Sequence, residues 1–162
     1  MNVGATSPGA YGNYYAWGET EQKQHYDDDN CDTWEKEIGD IGGTSRDVAH
    51  IEWGGNWRMP TKAEFDELLD EDNCAWKWTT LDGHNGYKVT SKKTGNSIFL
   101  PAAGWRVGSS LDRTGVGGHY WSSTPYEGRT LFAVDLAFGS SFLGTGWRFR
   151  FGGCTVRPVI EL

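Results

Sequence analysis

Glycine and tryptophan constrain this chain more than anything else in it. Among 162 residues there are 23 Gly and 9 Trp, beside 7 Tyr and 7 Phe, while Leu and Ile are few. Glycine weakens helix and strand interiors, so a chain this rich in it cannot be a helical bundle. Bulky aromatic rings fill irregular spaces between short strands and loops, and that is the packing such a composition demands. The length suits one domain, residues 1–162, with enough chain to bury a core.

Read along the chain, Tyr14-Tyr-Ala-Trp-Gly18 is a short aromatic strand, and residues 19–46 form a polar surface excursion. Asp47 to Trp53 makes one short helix. Thr61 and Glu64 form a capping box just after Pro60, which opens a second helix with Phe65, Leu68 and Leu69 on one face. Everything beyond reads as strands: Cys74–Thr79, Gly86–Thr90 and Ser97–Leu100 around the turn Lys93-Thr-Gly95, then Tyr120–Ser123, Leu131–Phe138, Trp147–Phe151 and Thr155–Ile160. The expected class is α+β, with one or two short helices, a twisted antiparallel sheet and extensive loops.

Charge narrows the partners. A net charge of -7 argues against nucleic acid, which needs a basic face. No run approaches the length of a membrane span, so membrane insertion is not expected, and no signal peptide opens the chain. The acidic residues concentrate early, whereas residues 96–162 hold six Arg and no Lys. Cys31, Cys74 and Cys154 leave two readings open: a Cys31–Cys74 bridge or three isolated thiols.

Several segments resemble a known family. Asn2-Val-Gly-Ala-Thr6, Tyr14-Tyr-Ala-Trp-Gly-Glu-Thr20, Trp53-Gly-Gly-Asn-Trp-Arg-Met-Pro-Thr61, Asn85-Gly-Tyr-Lys-Val89, Ser97-Ile-Phe-Leu-Pro-Ala-Ala-Gly104, Tyr120-Trp-Ser-Ser-Thr-Pro125 and Val156-Arg-Pro-Val159 are similar to a large paralogous group of bacterial surface and phage-associated domains. That group has the C-type lectin fold of the formylglycine-generating-enzyme type. Its members usually carry a further strand and a Trp-containing segment before the Asn-Val-Gly motif, where Met1 stands in this sequence. The enzymes of that fold use a pair of cysteines near the C-terminus; only Cys154 stands there, so the resemblance does not extend to oxidase activity, and no catalytic residue is assigned.

Some proteins of this fold are variable proteins of diversity-generating retroelements, whose 3′ coding end is rewritten at template adenines. The resemblance implies such a variable region at about residues 123–155. The varied positions would be Tyr126, Gly128, Arg129, Leu131, Phe132, Val134, Asp135, Ala137, Gly139, Phe142, Leu143, Gly144, Gly146, Trp147, Arg148, Phe149, Phe151 and Gly152. Leu136, Phe138, Ser140, Arg150, Gly153 and Val156-Arg-Pro-Val159 would be fixed. Randomising both adenines of an AAC codon cannot yield Lys, Gln, Glu, Met or Trp; of the varied positions only Trp147 breaks that rule. The implied function is ligand binding through a hypervariable C-terminal surface, on a bacterial cell or phage particle, toward a protein or glycan of another surface. A fixed adhesive or structural module is the alternative.

Individual residues carry two readings each. Trp147, Phe149 and Phe151 alternate with Arg148 and Arg150, either as a strand with aromatics inward and arginines outward, or as an exposed aromatic and Arg patch. Arg150 itself reads as structural. Phe142 and Leu143, between Ser140-Ser141 and Gly144, read as an exposed loop. Asp28, Asn30 and Asp32 have calcium-like spacing, but Thr33 and Gly39 stand where an EF-hand needs Gly and Glu, so no cofactor or metal is assigned. His25, His50, His84 and His119 show no metal-ligand spacing. Trp53, Trp57, Trp76, Trp78, Trp105 and Trp121 read as core and loop anchors.

Overall fold

The structure, a computed structural model, describes residues 1–160. Its elements in chain order are α1 (Val48–Trp53), β1 (Trp57–Arg58), α2 (Lys62–Leu69), β2 (Cys74–Leu81), β3 (His84–Ser91), β4 (Ser97–Pro101), β5 (Trp105–Val107), β6 (Ser110–Asp112), β7 (Gly117–Pro125), β8 (Phe132–Gly139), β9 (Phe142–Phe149) and β10 (Val159–Ile160). A 3-10 turn at Asp28–Asn30 precedes them. The architecture is mixed, mostly sheet with two short helices, as an α+β chain requires.

Both helices begin where their capping chemistry stands. Asp47 caps α1, and its fully buried carboxylate accepts the backbone N–H groups of Ala49, His50, Gly43 and Met59. One side chain thereby ties a turn, a helix and a strand end together. Thr61 and Glu64 close the expected capping box on α2, and Arg58 holds the Glu64 carboxylate with two bonds of 2.8 Å. Phe65 of α2 is buried, and Leu68 and Leu69 pack against the same core.

The strands form four small antiparallel sheets rather than the one sheet expected: β1–β10, β2–β3–β4, β5–β6 and β7–β8–β9. Each hairpin closes locally, and single bridges such as Gly104–Gly118 and Arg106–Gly153 join one sheet to the next. The β7–β8 pair is buried on both faces. Trp121 and Ala133 point into one cluster with Val3, Tyr15, Trp17, Met59 and Val156. Tyr120, Leu136 and Phe138 point the other way, into a cluster with Phe65, Tyr87, Val89 and Leu100. Phe138 stands among the rings of Trp76, Trp78, Tyr87 and Tyr120. A Cβ on Gly118 would collide with that ring, so only glycine lets β7 pass.

Three local expectations need correction. Tyr14 to Trp17 is extended and wholly buried, but it pairs only at single points, Tyr15 with Cys154 and the Trp17 N–H with the Arg150 carbonyl, so no ladder forms. In the segment Thr155–Ile160 only Val159 and Ile160 are strand; Thr155 and Val156 accept from Trp121 and Val3 across separate loops. The polar excursion is also not purely surface, since Tyr26, Cys31, Thr33 and Ile41 are buried in it. Of the six tryptophans expected as anchors, Trp121 is fully buried and the other five are half-buried, as with the Trp53–Trp57 edge contact of 4.7 Å. All three cysteines are unpaired.

Arg150 holds the excursion down. Only 1% of it is exposed, and its guanidinium donates to the carbonyls of Thr33 (3.0 Å), Lys36 (2.7 Å) and Phe132 (3.1 Å) while lying 4.5 Å from the Trp17 ring. Replacing Arg150 with Met would strand three carbonyl oxygens in a dry site, for a loss of about 3 kcal/mol. Urea denaturation of Arg150→Met checks this; a loss below about 1 kcal/mol would mean that the excursion is held by something else.

Candidate functional site

The C-terminal hairpin of β8 and β9, closed by Ser140-Ser141, carries most of the expected positions. Its register pairs Phe132 with Phe149, Val134 with Trp147, Asp135 with Gly146, Ala137 with Gly144 and Gly139 with Phe142. Because side chains alternate along a strand, the candidates divide between two faces. Phe132, Val134, Leu143, Trp147 and Phe149 share one. Asp135, Ala137, Gly139, Phe142, Gly144, Gly146 and Arg148 share the other. Tyr126, Gly128, Arg129 and Leu131 lie in the connection before β8, and Phe151 and Gly152 follow β9.

Along β9 the aromatics are outside and the arginines inside, the reverse of the ordinary inward-aromatic strand. Trp147 is 52% exposed and Phe149 39% exposed, while Arg150 is buried and Arg148 half-buried. Trp147 and Phe149 belong to a continuous ridge of rings. Tyr126 meets Trp147 at 6.1 Å, Trp147 meets Phe132 at 4.6 Å, and Phe132 stacks on Phe149 at 4.6 Å. Phe149 stacks on Phe151 at 5.2 Å, and Trp34 contacts both at 5.9 and 5.4 Å. Each such pair contributes about 0.5–1.5 kcal/mol beyond its buried area, so the rings hold one another in place while their outer surfaces stay in water. Sequence reasoning missed Trp34, whose only signal was a tryptophan inside a polar stretch.

Phe142 and Leu143 are exposed as expected, but they open β9 rather than occupying a loop. Ser140-Ser141 alone makes the turn, so the strand starts at Phe142, five residues before the expected Trp147, ends at Phe149 rather than Phe151, and sends Phe142 and Leu143 to opposite faces. Five further candidates are buried: Phe132, Val134, Asp135, Gly139 and Gly152. They lie on the half of β8, or against the Trp105 ring, that the core covers.

The second face holds a polar network. His119 on β7 and Asp135 on β8, both buried, meet at 2.9 Å through His119 Nδ1. Arg148 Nε stands 3.3 Å from the same carboxylate oxygen. One terminal Arg148 nitrogen is 3.0 and 3.3 Å from the two ring nitrogens of His119, a placement above the ring rather than in its plane. On its other side the guanidinium lies 3.9 Å from the Trp105 ring centre. Arg148 is thus sandwiched between Trp105 and His119 and balances Asp135. Burial first, and Arg148 next, lower the His119 pKa from its ordinary 6.5, so the ring is neutral and donates Nδ1–H to Asp135.

Asp27, Asp28 and Asp29 bring three carboxylates within 4.8 Å of one another at the surface. Asp27 is already engaged, capping the 3-10 turn and contacting His25 Nε2 at 2.7 Å. Cys154 is fully buried and its thiol is pushed well above the usual range by desolvation. Comparisons with protein families, with curated proteins and with solved structures find no match.

The His119 shift fixes a pH dependence. Unfolded, His119 takes up a proton near 6.5; folded, it resists until lower pH. The unfolded state therefore binds more protons in that window, and stability falls as pH drops below about 6.5 while staying flat above it with respect to this group. Thermal melts of wild type and His119→Gln between pH 7.5 and 5 test this. The variant loses part of the acid-side slope; an unchanged slope would place the titrating group elsewhere.

Proposed function

We propose that this chain is a ligand-binding domain of the C-type lectin fold, in its formylglycine-generating-enzyme-like form, and that the β8–β9 hairpin displays its binding surface. The observation that carries this reading is the ridge through Tyr126, Trp147, Phe149, Phe151 and Trp34, with Trp147 and Phe149 turned to solvent on a buried support. Aromatic side chains pre-ordered by stacking lose little freedom when a partner covers them, which is how hot spots form. Support also comes from the positions expected to be fixed. Leu136, Phe138, Arg150, Gly153, Val156 and Pro158 are buried, while Ser140 is exposed and Arg157 and Val159 are half-buried. Of the positions expected to vary, Arg129, Phe142, Leu143, Trp147 and Phe149 are exposed and Phe132, Val134, Asp135, Gly139 and Gly152 are buried. The exposed group suits a surface diversified by a retroelement, displayed on a bacterial cell or phage particle toward a protein or glycan of another surface.

A second reading, a fixed adhesive module, has its own support. Asp135 and Arg148 are coupled through His119, so independent randomisation at either would leave a buried charge unpaired. Trp147, at the centre of the ridge, is also a residue that AAC randomisation cannot produce. Binding rather than turnover is favoured by the chemistry of the thiol: Cys154, buried and hard to ionise, is a poor nucleophile.

Two measurements test the proposal. Trp147→Ala loses two ring contacts and should cost about 1–3 kcal/mol with the domain still folded, while weakening binding to a captured partner at least tenfold. If it unfolds the domain instead, Trp147 is core and the surface lies elsewhere. Sequencing of the gene's 3′ end across a natural population should show differences confined to codons of exposed positions, such as Arg129, Phe142, Leu143 and Phe149. A uniform segment would favour the fixed module.

A further inference from the structure

Resting on that reading of the C-terminal hairpin, we infer that the open edge of β9 binds an extended peptide segment of a protein partner by antiparallel strand addition, with a basic side chain directed at α2. The two-residue turn makes Gly139 and Phe142 the hydrogen-bonded closing pair of the hairpin. Pairing then alternates, so the N–H and C=O groups of Phe142, Gly144, Gly146 and Arg148 face β8. The bond from Arg150 N to Leu131 O continues the same alternation. The groups of Leu143, Thr145 and Trp147 face outward, and no described residue bonds them.

Every other edge of the two larger sheets is guarded. Along β4, Arg157 occupies the Phe99 carbonyl, Tyr120 occupies that of Pro101, and proline has no N–H to offer. The outer side of β7 is bridged to Gly104 and Thr155. The exposed edge of β2 carries Lys77, a charge of the kind that discourages pairing. By contrast β9 has no Pro and no Lys, and its one charged residue, Arg148, is turned inward to Asp135. An eight-residue edge without a guard is a template for another strand.

The surroundings specify that strand. On the face shared by Leu143, Thr145, Trp147 and Phe149, the far end offers exposed rings and the near end offers α2. Asp66 of α2 reaches Thr145 Oγ1 at 3.4 Å. From Lys62 to Asp72 there are six carboxylates; Lys62 holds Asp66 at 2.6 Å and Arg58 holds Glu64, which leaves Glu67, Asp70, Glu71 and Asp72 outside any described ion pair. A cavity lined by Leu69, Glu71, Trp76, Lys92 and Leu143 continues the edge past its first residues. An antiparallel partner therefore presents apolar side chains to Phe149 and Trp147 and a cation opposite Thr145. That acidic flank also disfavours a second copy of this chain as the occupant, because its own edge brings no cation to this face.

The probe is a blocked peptide, Thr-Val-Thr-Val-Thr-Lys-Thr, titrated into the folded domain. Amide exchange at Thr145, Trp147 and Phe149 should slow at least tenfold, with Gly144 and Gly146 unchanged. The peptide N-methylated at both Val and the Lys should not bind, and the version with Glu for Lys should bind at least tenfold more weakly. Thr145→Pro removes an outward N–H without touching the β8 ladder and should abolish binding. Unslowed exchange, equal binding of the methylated peptide, or sedimentation of the free domain as a dimer that protects these amides would each overturn strand addition. If a natural ligand is lost in Trp147→Ala but retained in Thr145→Pro, the binding surface stands and the strand-addition mode falls.

Discussion

The geometry of the β8–β9 hairpin depends on a buried arginine. Arg150 follows β9 directly and sends its guanidinium inward to the carbonyls of Thr33, Lys36 and Phe132. A strand has a period of two, so an inward Arg150 requires an inward Arg148 and outward Phe149 and Trp147. A register slip of one residue would bury the two rings and expel a guanidinium that three carbonyls need. The exposed aromatics are thus a consequence of where the cation must go. Burying Arg150 without a carboxylate is costly, and what it secures is the attachment of the long polar excursion to the sheet.

That excursion, in turn, completes the surface. Trp34 comes from it, a residue away from the Thr33 carbonyl that Arg150 holds, and meets Phe149 and Phe151 at a tilt. Two segments more than a hundred residues apart in the chain therefore share one ridge. The second face of the hairpin is built on different chemistry, with Arg148 between Trp105 and His119 and its charge balanced by Asp135. Around Phe132 and Phe149 one face is apolar and open, while the other, around Asp135 and Arg148, is polar and closed. This asymmetry puts the ring ridge on one side of that end of the hairpin.

Much of the fold was legible locally. The α2 capping box, the short helix from Asp47 and the turn at Lys93-Thr-Gly95 between β3 and β4 each depend on neighbouring residues, and local chemistry suffices to place them. The tight turn at Ser140-Ser141, by contrast, reads from sequence as part of a longer loop. Less could be read where one residue answers to distant partners. Tyr14 to Trp17 has a strand's composition, yet its backbone pairs singly with Cys154 and Arg150. The candidate positions were legible as a stretch but not as a surface: Phe132, Val134 and Asp135 lie within it and are buried, because the core covers that half of β8.

The sequence by itself determined the class of this protein. A chain with so much glycine and tryptophan must be loop-rich and sheet-based, and its caps and turns place most short elements in order. Only the tertiary structure decided which face of β9 meets water. Alternation says that the rings of Trp147 and Phe149 and the guanidiniums of Arg148 and Arg150 lie on opposite sides, but not which side is inside. Carbonyls of Thr33 and Lys36, more than a hundred residues earlier, and the His119–Asp135 pair on the neighbouring strands make that choice. Such partners meet only once the chain has folded.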